Sequence, residues 1–202
     1  MTPGAVRERL AVRATLLVPV GTTEQHGPHL PLGCDTLIVE RLADDLSATY
    51  DVVRAPTVEY GVHATTRDLP GGATLRRKTL HRVMNELIGS WEEGAGVCEF
   101  VLLTAQADES HQEALSTIRT NGARVLVVDV FSMDFGTLLE AAGPPLQGGE
   151  LDTSLLMYLA PGLVQPELAG SIPGTARLAS AEKGARLYNS ILERVSRCLS
   201  QP

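Results

Sequence analysis

The segment Thr15–Val20, apolar from its second residue onward, runs straight into a loop rich in Gly and Pro. A strand that is apolar at consecutive positions buries both faces, which demands a sheet with helices packed on either side. The loop that follows, Glu24-Gln25-His26-Gly27-Pro28-His29-Leu30-Pro31-Leu32-Gly33-Cys34-Asp35, gathers two carboxylates and two imidazoles. Loops at the carboxyl ends of buried strands are where open α/β sheets bind ligands. Carboxylate oxygen and neutral imidazole nitrogen are the donors that divalent metals accept. On chemistry alone the loop reads either as a metal site or as a hydrogen-bonded structural turn.

Strand and helix signals alternate along the rest of the chain. Leu37, Ile38, Val39, Leu42, Ala43 and Leu46 recur at helical spacing, so a helix starts just after Asp35. Asp51–Ala55 reads as a short strand, and Leu80, Val83, Met84, Leu87 and Ile88 as an amphipathic helix reaching Trp91. Phe100–Thr104 and Arg124–Val130 read as strands. Between them lies a helix carrying Ala114, Leu115 and Ile118, with Asn121-Gly122 as its C-cap. Leu155–Leu159 is a short helical run, and the last helix carries Ala185, Tyr188, Ile191, Leu192, Val195 and Leu199. Gly143–Gly149 and Gly170–Gly174 are loops. The pattern predicts an α/β domain with a mostly parallel sheet spanning residues 1–202.

With 202 residues, 44% hydrophobic and 20% charged, the composition is that of a globular protein with a buried core. A dispersed net charge of −7 argues against nucleic-acid or anionic-membrane partners. No stretch reaches the roughly 18–20 apolar residues of a membrane span, and Met1–Arg13 lacks the apolar centre of a signal peptide. Three widely spaced cysteines, Cys34, Cys98 and Cys198, read as reduced thiols of a cytoplasmic protein. Cys34, beside Asp35, reads as a small core filler.

From Pro19 to Thr36 the chain resembles the signature of the creatininase family, P-V-G-S-x-E-x-H-G-x-H-L-P-x-x-x-D-T. The resemblance implies a three-layer α/β/α sandwich with a mostly parallel central sheet. It also implies two divalent ions (Zn or Mn) per subunit, a homo-oligomer of six chains, and hydrolysis of cyclic or linear amides by a metal-bound hydroxide. By position, Glu24 would bind one ion, His26 the other, and Asp35 would bridge them. The Glu24–His29 wording is shared with a branch containing a peptidase of the mycofactocin pathway.

The later motifs of that family are altered here. Its N-G-H-x-E-N segment aligns with Thr104–Glu109, placing Gln106 on a ligand His and Asp108 on a ligand Glu. A register shifted by two residues would put Asp108 on the His and His111 on the last Asn. Its H-A-G-x-x-E-T-S element reads Gln147–Ser154, with Gln147 for the catalytic His and Asp152 for the Glu. Its Glu-His pair after Tyr60-Gly61 has become Thr65-Thr66.

An amide side chain does not titrate, so Gln147 cannot carry a proton, and losing such a shuttle costs ~10²–10⁴-fold in rate. Glu150 or Asp152 could take that role as a carboxylate of raised pKa. Of the remaining histidines, His63 is the best additional site candidate and His29 reads as a structural hydrogen bonder. His81 and His111 read as surface residues. The expected metal set is therefore Glu24, His26, Asp35, Asp108 and Gln106, holding one ion or two. Three functions stay open: a divergent amidohydrolase of a small amide, lactam or peptide; a non-catalytic subunit of the same fold; and a biosynthetic enzyme, such as a cyclase, that polarises a carbonyl without hydrolysing it.

Overall fold

The structure, a computed structural model, describes residues 1–63, 70–169 and 174–200. Thr65 and Thr66, and most of the Gly170–Gly174 loop, lie outside the described residues. Four parallel strands, β1 (Thr15–Val20), β2 (Val53–Arg54), β3 (Glu99–Thr104) and β4 (Arg124–Asp129), lie in the order β2-β1-β3-β4. Seven helices accompany them among the described residues: α1 (Pro3–Val12), α2 (Cys34–Tyr50), α3 (Arg77–Ala95), α4 (Glu109–Ser116), α5 (Glu150–Leu159), α6 (Pro166–Ala169) and α7 (Ala181–Ser200).

Side chains alternate across the sheet and build two separate cores. Leu17, Val101 and Leu103 pack with α2, α5 and α7 on one face. Leu16, Val18, Phe100 and Leu102 pack with α3, α4 and Leu10 of α1 on the other. This is the three-layer α/β/α sandwich expected. Pro19 sits inside β1 although proline donates no ladder bond. The carbonyls of Leu17 and Pro19 accept from Ala55 and Val58, so the missing N–H faces the side where β2 is only two residues long. Pairing of Pro19 with Leu103 of β3 is kept.

Three helices depart from the sequence reading. α4 ends at Ser116, and Asn121-Gly122 forms a loop instead of its cap. The Glu92 carboxylate binds the N–H groups of Asn121 and Ala123, both at 2.9 Å, and so fixes that loop from α3. α5 begins at Glu150 rather than Leu155, because Gly149 starts the helix and Glu150 and Asp152 suit the positive end of its dipole. α1 carries no apolar stripe, only Leu10 being buried; its legible signals are Thr2, whose hydroxyl accepts from Ala5 N, and Pro3 at the first helical position.

Candidate metal centre and cavity

β2 lies to one side of β1 and β3 to the other, and their connections run over opposite faces. The carboxyl ends of β1 and β3 therefore flank the crevice where such sheets bind ligands. A cavity of about 530 Å³ opens there. Glu24, His26 and Asp35 line it from the β1 side, Gln106 and Asp108 from the β3 loop, Asp129 from the end of β4, and Gln147 and Asp152 from the start of α5. Among the described residues, no Lys or Arg lines it.

The motif loop is held in place by its own polar groups. Thr36 Oγ1 donates to the Thr22 carbonyl at 3.1 Å, and Glu24 N to the Leu32 carbonyl at 2.9 Å. Thr22 Oγ1 reaches both Asp35 Oδ2 (2.5 Å) and Glu24 Oε1 (3.2 Å). Thr153 Oγ1 donates to the Gly148 carbonyl (3.3 Å), so it accepts from His29 Nε2 at 2.8 Å, which ties the loop to α5. Burial lowers the pKa of His29, consistent with a neutral ring.

His26 Nε2 lies 3.1 Å from Asp35 Oδ1. Burial alone would lower the pKa of His26, but the adjacent Asp35 carboxylate, together with Asp152 and Glu24, outweighs it and raises the value to about 10. Asp152 is 4% exposed and its Oδ2 accepts from Gly148 N at 2.6 Å. Burial pushes its pKa up to about 6; His26 and the Gly148 N–H oppose the rise, while Asp35 and Glu24 add to it. His63 Nδ1 stands 3.6 Å from Glu24 Oε2, so this histidine joins the site.

Other residues are placed elsewhere. Glu150 accepts from the backbone N–H groups of Glu140 and Ala141 and pairs with Lys183, which holds its pKa low despite burial, and it does not line this cavity. Asp108 lines the cavity and also caps α4, its Oδ1 accepting from Ser110 N at 2.8 Å and His111 N at 3.3 Å. His111 is fully buried rather than on the surface. Its Nδ1 accepts from Val62 N at 3.1 Å, so Nε2 donates to Thr104 Oγ1 at 3.0 Å, and burial drops its pKa to about 4. Its place one turn before Ala114 and Leu115 on the apolar face of α4 was the readable signal. The sequence reading also passed over Thr22, which joins Glu24 to Asp35, and Asp129, a carboxylate at a strand's carboxyl end.

The donor chemistry fits a divalent cation. Glu24, Asp35 and Asp152 are each at most 4% exposed and share one imidazole, His26, with His63 beside Glu24. Such an excess of buried negative charge is costly without a counter-charge. Asp35 Oδ1, for all its closeness to His26, has no partner of hydrogen-bond geometry, and donor atoms of His26, Cys34 and Asp35 lie within 4.8 Å of one another. Cys34 is fully buried and burial pushes its thiol well above the ordinary range. No helix among the described residues is long and apolar enough to cross a membrane.

The chain is 31% identical over 96 residues to 3-dehydro-scyllo-inosose hydrolase of Thermotoga maritima, covering 46% of this chain and 31% of that protein. It is 30% identical over 152 residues to the mycofactocin precursor peptide peptidase of Mycolicibacterium smegmatis, covering 72% of this chain and 58% of the relative. The matched part of this chain thus spans less than two thirds of either relative. A crystal structure of creatinine amidohydrolase (creatininase) superposes with a TM-score of 0.85 at 21% identity, over 100% of this chain and 95% of that one. Solved creatininases of the same fold include a manganese form and a Zn–Zn form. The family model described as creatinine amidohydrolase matches residues 1–199, and the chain belongs to this creatininase family, whose members are metal-dependent amidohydrolases.

Proposed function

We propose that this protein is a metal-dependent hydrolase that cleaves an amide bond in a small molecule, lactam or peptide. The observation that carries the reading is the cluster of Glu24, His26, Asp35 and Asp152, nearly all out of solvent yet facing one cavity of about 530 Å³. His26 and Asp35 would hold the ion, with Asp108 on the same wall. A divalent ion supplies Lewis-acid polarisation of the amide carbonyl and acidifies a water beside it.

Asp152 would move the proton. With its pKa near 6 it can take a proton from the attacking water and return it to the departing amine close to neutral pH. The Gly148 N–H fixes one of its oxygens, and the residue lines the cavity. Glu150, tied to Lys183 and two backbone N–H groups, serves the start of α5 instead. Ala105, Ala107, Phe131, Pro144 and Leu146 add apolar wall, so the substrate carries some apolar surface next to its amide. The unpaired cysteines support a reducing, cytoplasmic setting, and the family resemblance supports a homo-oligomer of six.

The test is amine release, followed by mass spectrometry, from a panel of lactams, linear amides and short peptides with Zn²⁺- or Mn²⁺-loaded protein. Turnover that drops ~10²–10⁴-fold in D152N but stays within a few fold in E150Q is the expected result. Absence of amine release across the panel with both metals would overturn the reading.

A further inference from the structure

Gln106 and Gln147 reach Glu24 from positions 82 and 123 residues away in the chain. Both present nitrogen. Gln106 Nε2 donates to Glu24 Oε1, and Gln147 Nε2 donates to Oε2 at 2.7 Å. Neither amide is free to turn round. Gln106 Oε1 accepts the Asp108 N–H at 2.9 Å, and Gln147 Nε2 also donates to the Gln25 carbonyl at 2.9 Å. A flip would set oxygen against oxygen, or N–H against N–H, at each of these contacts. The Thr22 hydroxyl lies 3.2 Å from Oε1, but its single hydrogen goes to Asp35 Oδ2 at 2.5 Å.

Each oxygen of the Glu24 carboxylate therefore meets an amide N–H, Gln106 on Oε1 and Gln147 on Oε2. Donors to a carboxylate stabilise its charge as a cation does, and an amide N–H is not a metal ligand. Asp35 differs at one oxygen: Oδ2 accepts from Thr22 Oγ1 at 2.5 Å and lies 3.5 Å from Gln106 Nε2, whereas Oδ1 lacks a hydrogen-bonding partner and has His26 Nε2 3.1 Å away.

We propose that the centre takes one divalent ion per chain, on the His26–Asp35 side, and that the amide hydrogens of Gln106 and Gln147 close the Glu24 side to a second. The inference rests on the metal-dependent reading above and concerns ion count, not turnover. In this view Glu24 is a positioning residue: it anchors the β3 loop and the start of α5 around the bound ion.

The experiment is titration of the metal-stripped full chain with Zn²⁺ and, separately, Mn²⁺, with stoichiometry read by calorimetry and native mass spectrometry. One equivalent is expected for the wild type and two for the Q106H/Q147H double variant. Should the double variant not fold by circular dichroism, Q106H alone is titrated and a second equivalent is expected there. Two equivalents in the wild type overturn the inference and leave the hydrolytic reading standing. None overturns both. A folded histidine variant that stays at one equivalent also overturns the inference.

Discussion

Glu150 and Asp152 stand two residues apart in the first turn of α5, yet their environments push them in opposite directions. Lys183 and two backbone N–H groups keep Glu150 ionised, whereas Asp152 is buried among Asp35 and Glu24 and rises to about 6. The sign for stability follows from linkage. Asp152 binds its proton more tightly in the metal-free native state than in the unfolded chain, where the ordinary value is 3.8. That contribution is present at low pH and is lost as pH rises through about 6. In the metal-free protein D152N should therefore raise Tm near pH 8 by an amount equivalent to roughly 1–3 kcal/mol, with the gap shrinking near pH 4. A pH-independent gap would show that Asp152 is not the strained carboxylate. At the same scale, Asp35→Ala should remove all tightly bound metal, since its Oδ1 is the carboxylate oxygen beside His26 Nε2. Stoichiometric metal retained by D35A, measured by elemental mass spectrometry, would contradict that role.

The packing of α7 on α5 depends on Gly184, because a Cβ there would run into the Ser154 carbonyl and against Tyr158. Helix propensity favours Ala over Gly by about 1 kcal/mol. The overlap is with backbone, which cannot swing aside, and overpacking costs about 1–3 kcal/mol. Gly184→Ala should thus be destabilising, with a lower urea midpoint; a higher midpoint would mean that α7 can slide. Gly148 shows the same constraint in the site: φ is +66° and a Cβ would meet the His26 carbonyl, so the motif loop and the start of α5 touch backbone to backbone. Most elements could be read from apolar spacing, as with Ile38, Val39, Leu42 and Leu46 on α2. α1 could not, because a helix with one buried residue has no stripe to read.

Taken whole, the molecule places a proton and a metal in competition for one imidazole. With His26 held near 10 by Asp35, each ion bound near neutral pH must displace a proton. Apparent affinity should therefore rise about tenfold per pH unit between about pH 6.5 and about pH 8.5. Calorimetry in buffers of different ionisation enthalpy checks this directly, and an affinity that is flat across that range would show that His26 is already neutral in the metal-free state.

The sequence by itself determined the layered α/β architecture, since a doubly buried strand and helical periodicities are local patterns set by the side-chain repeat along each element. It also marked Glu24, His26 and Asp35, which fall within twelve consecutive residues, and the substitutions at Gln106 and Gln147. Only the tertiary structure decided that both glutamines converge on one carboxylate, that His63 comes beside it, and that Glu150 is held by Lys183 away from the cavity. Those relations join segments far apart in the chain: loops beyond separate strands in the first two cases, and helices α5 and α7 in the third. Their distances depend on how the strands pair and how the helices pack, and no local spacing along the chain encodes them.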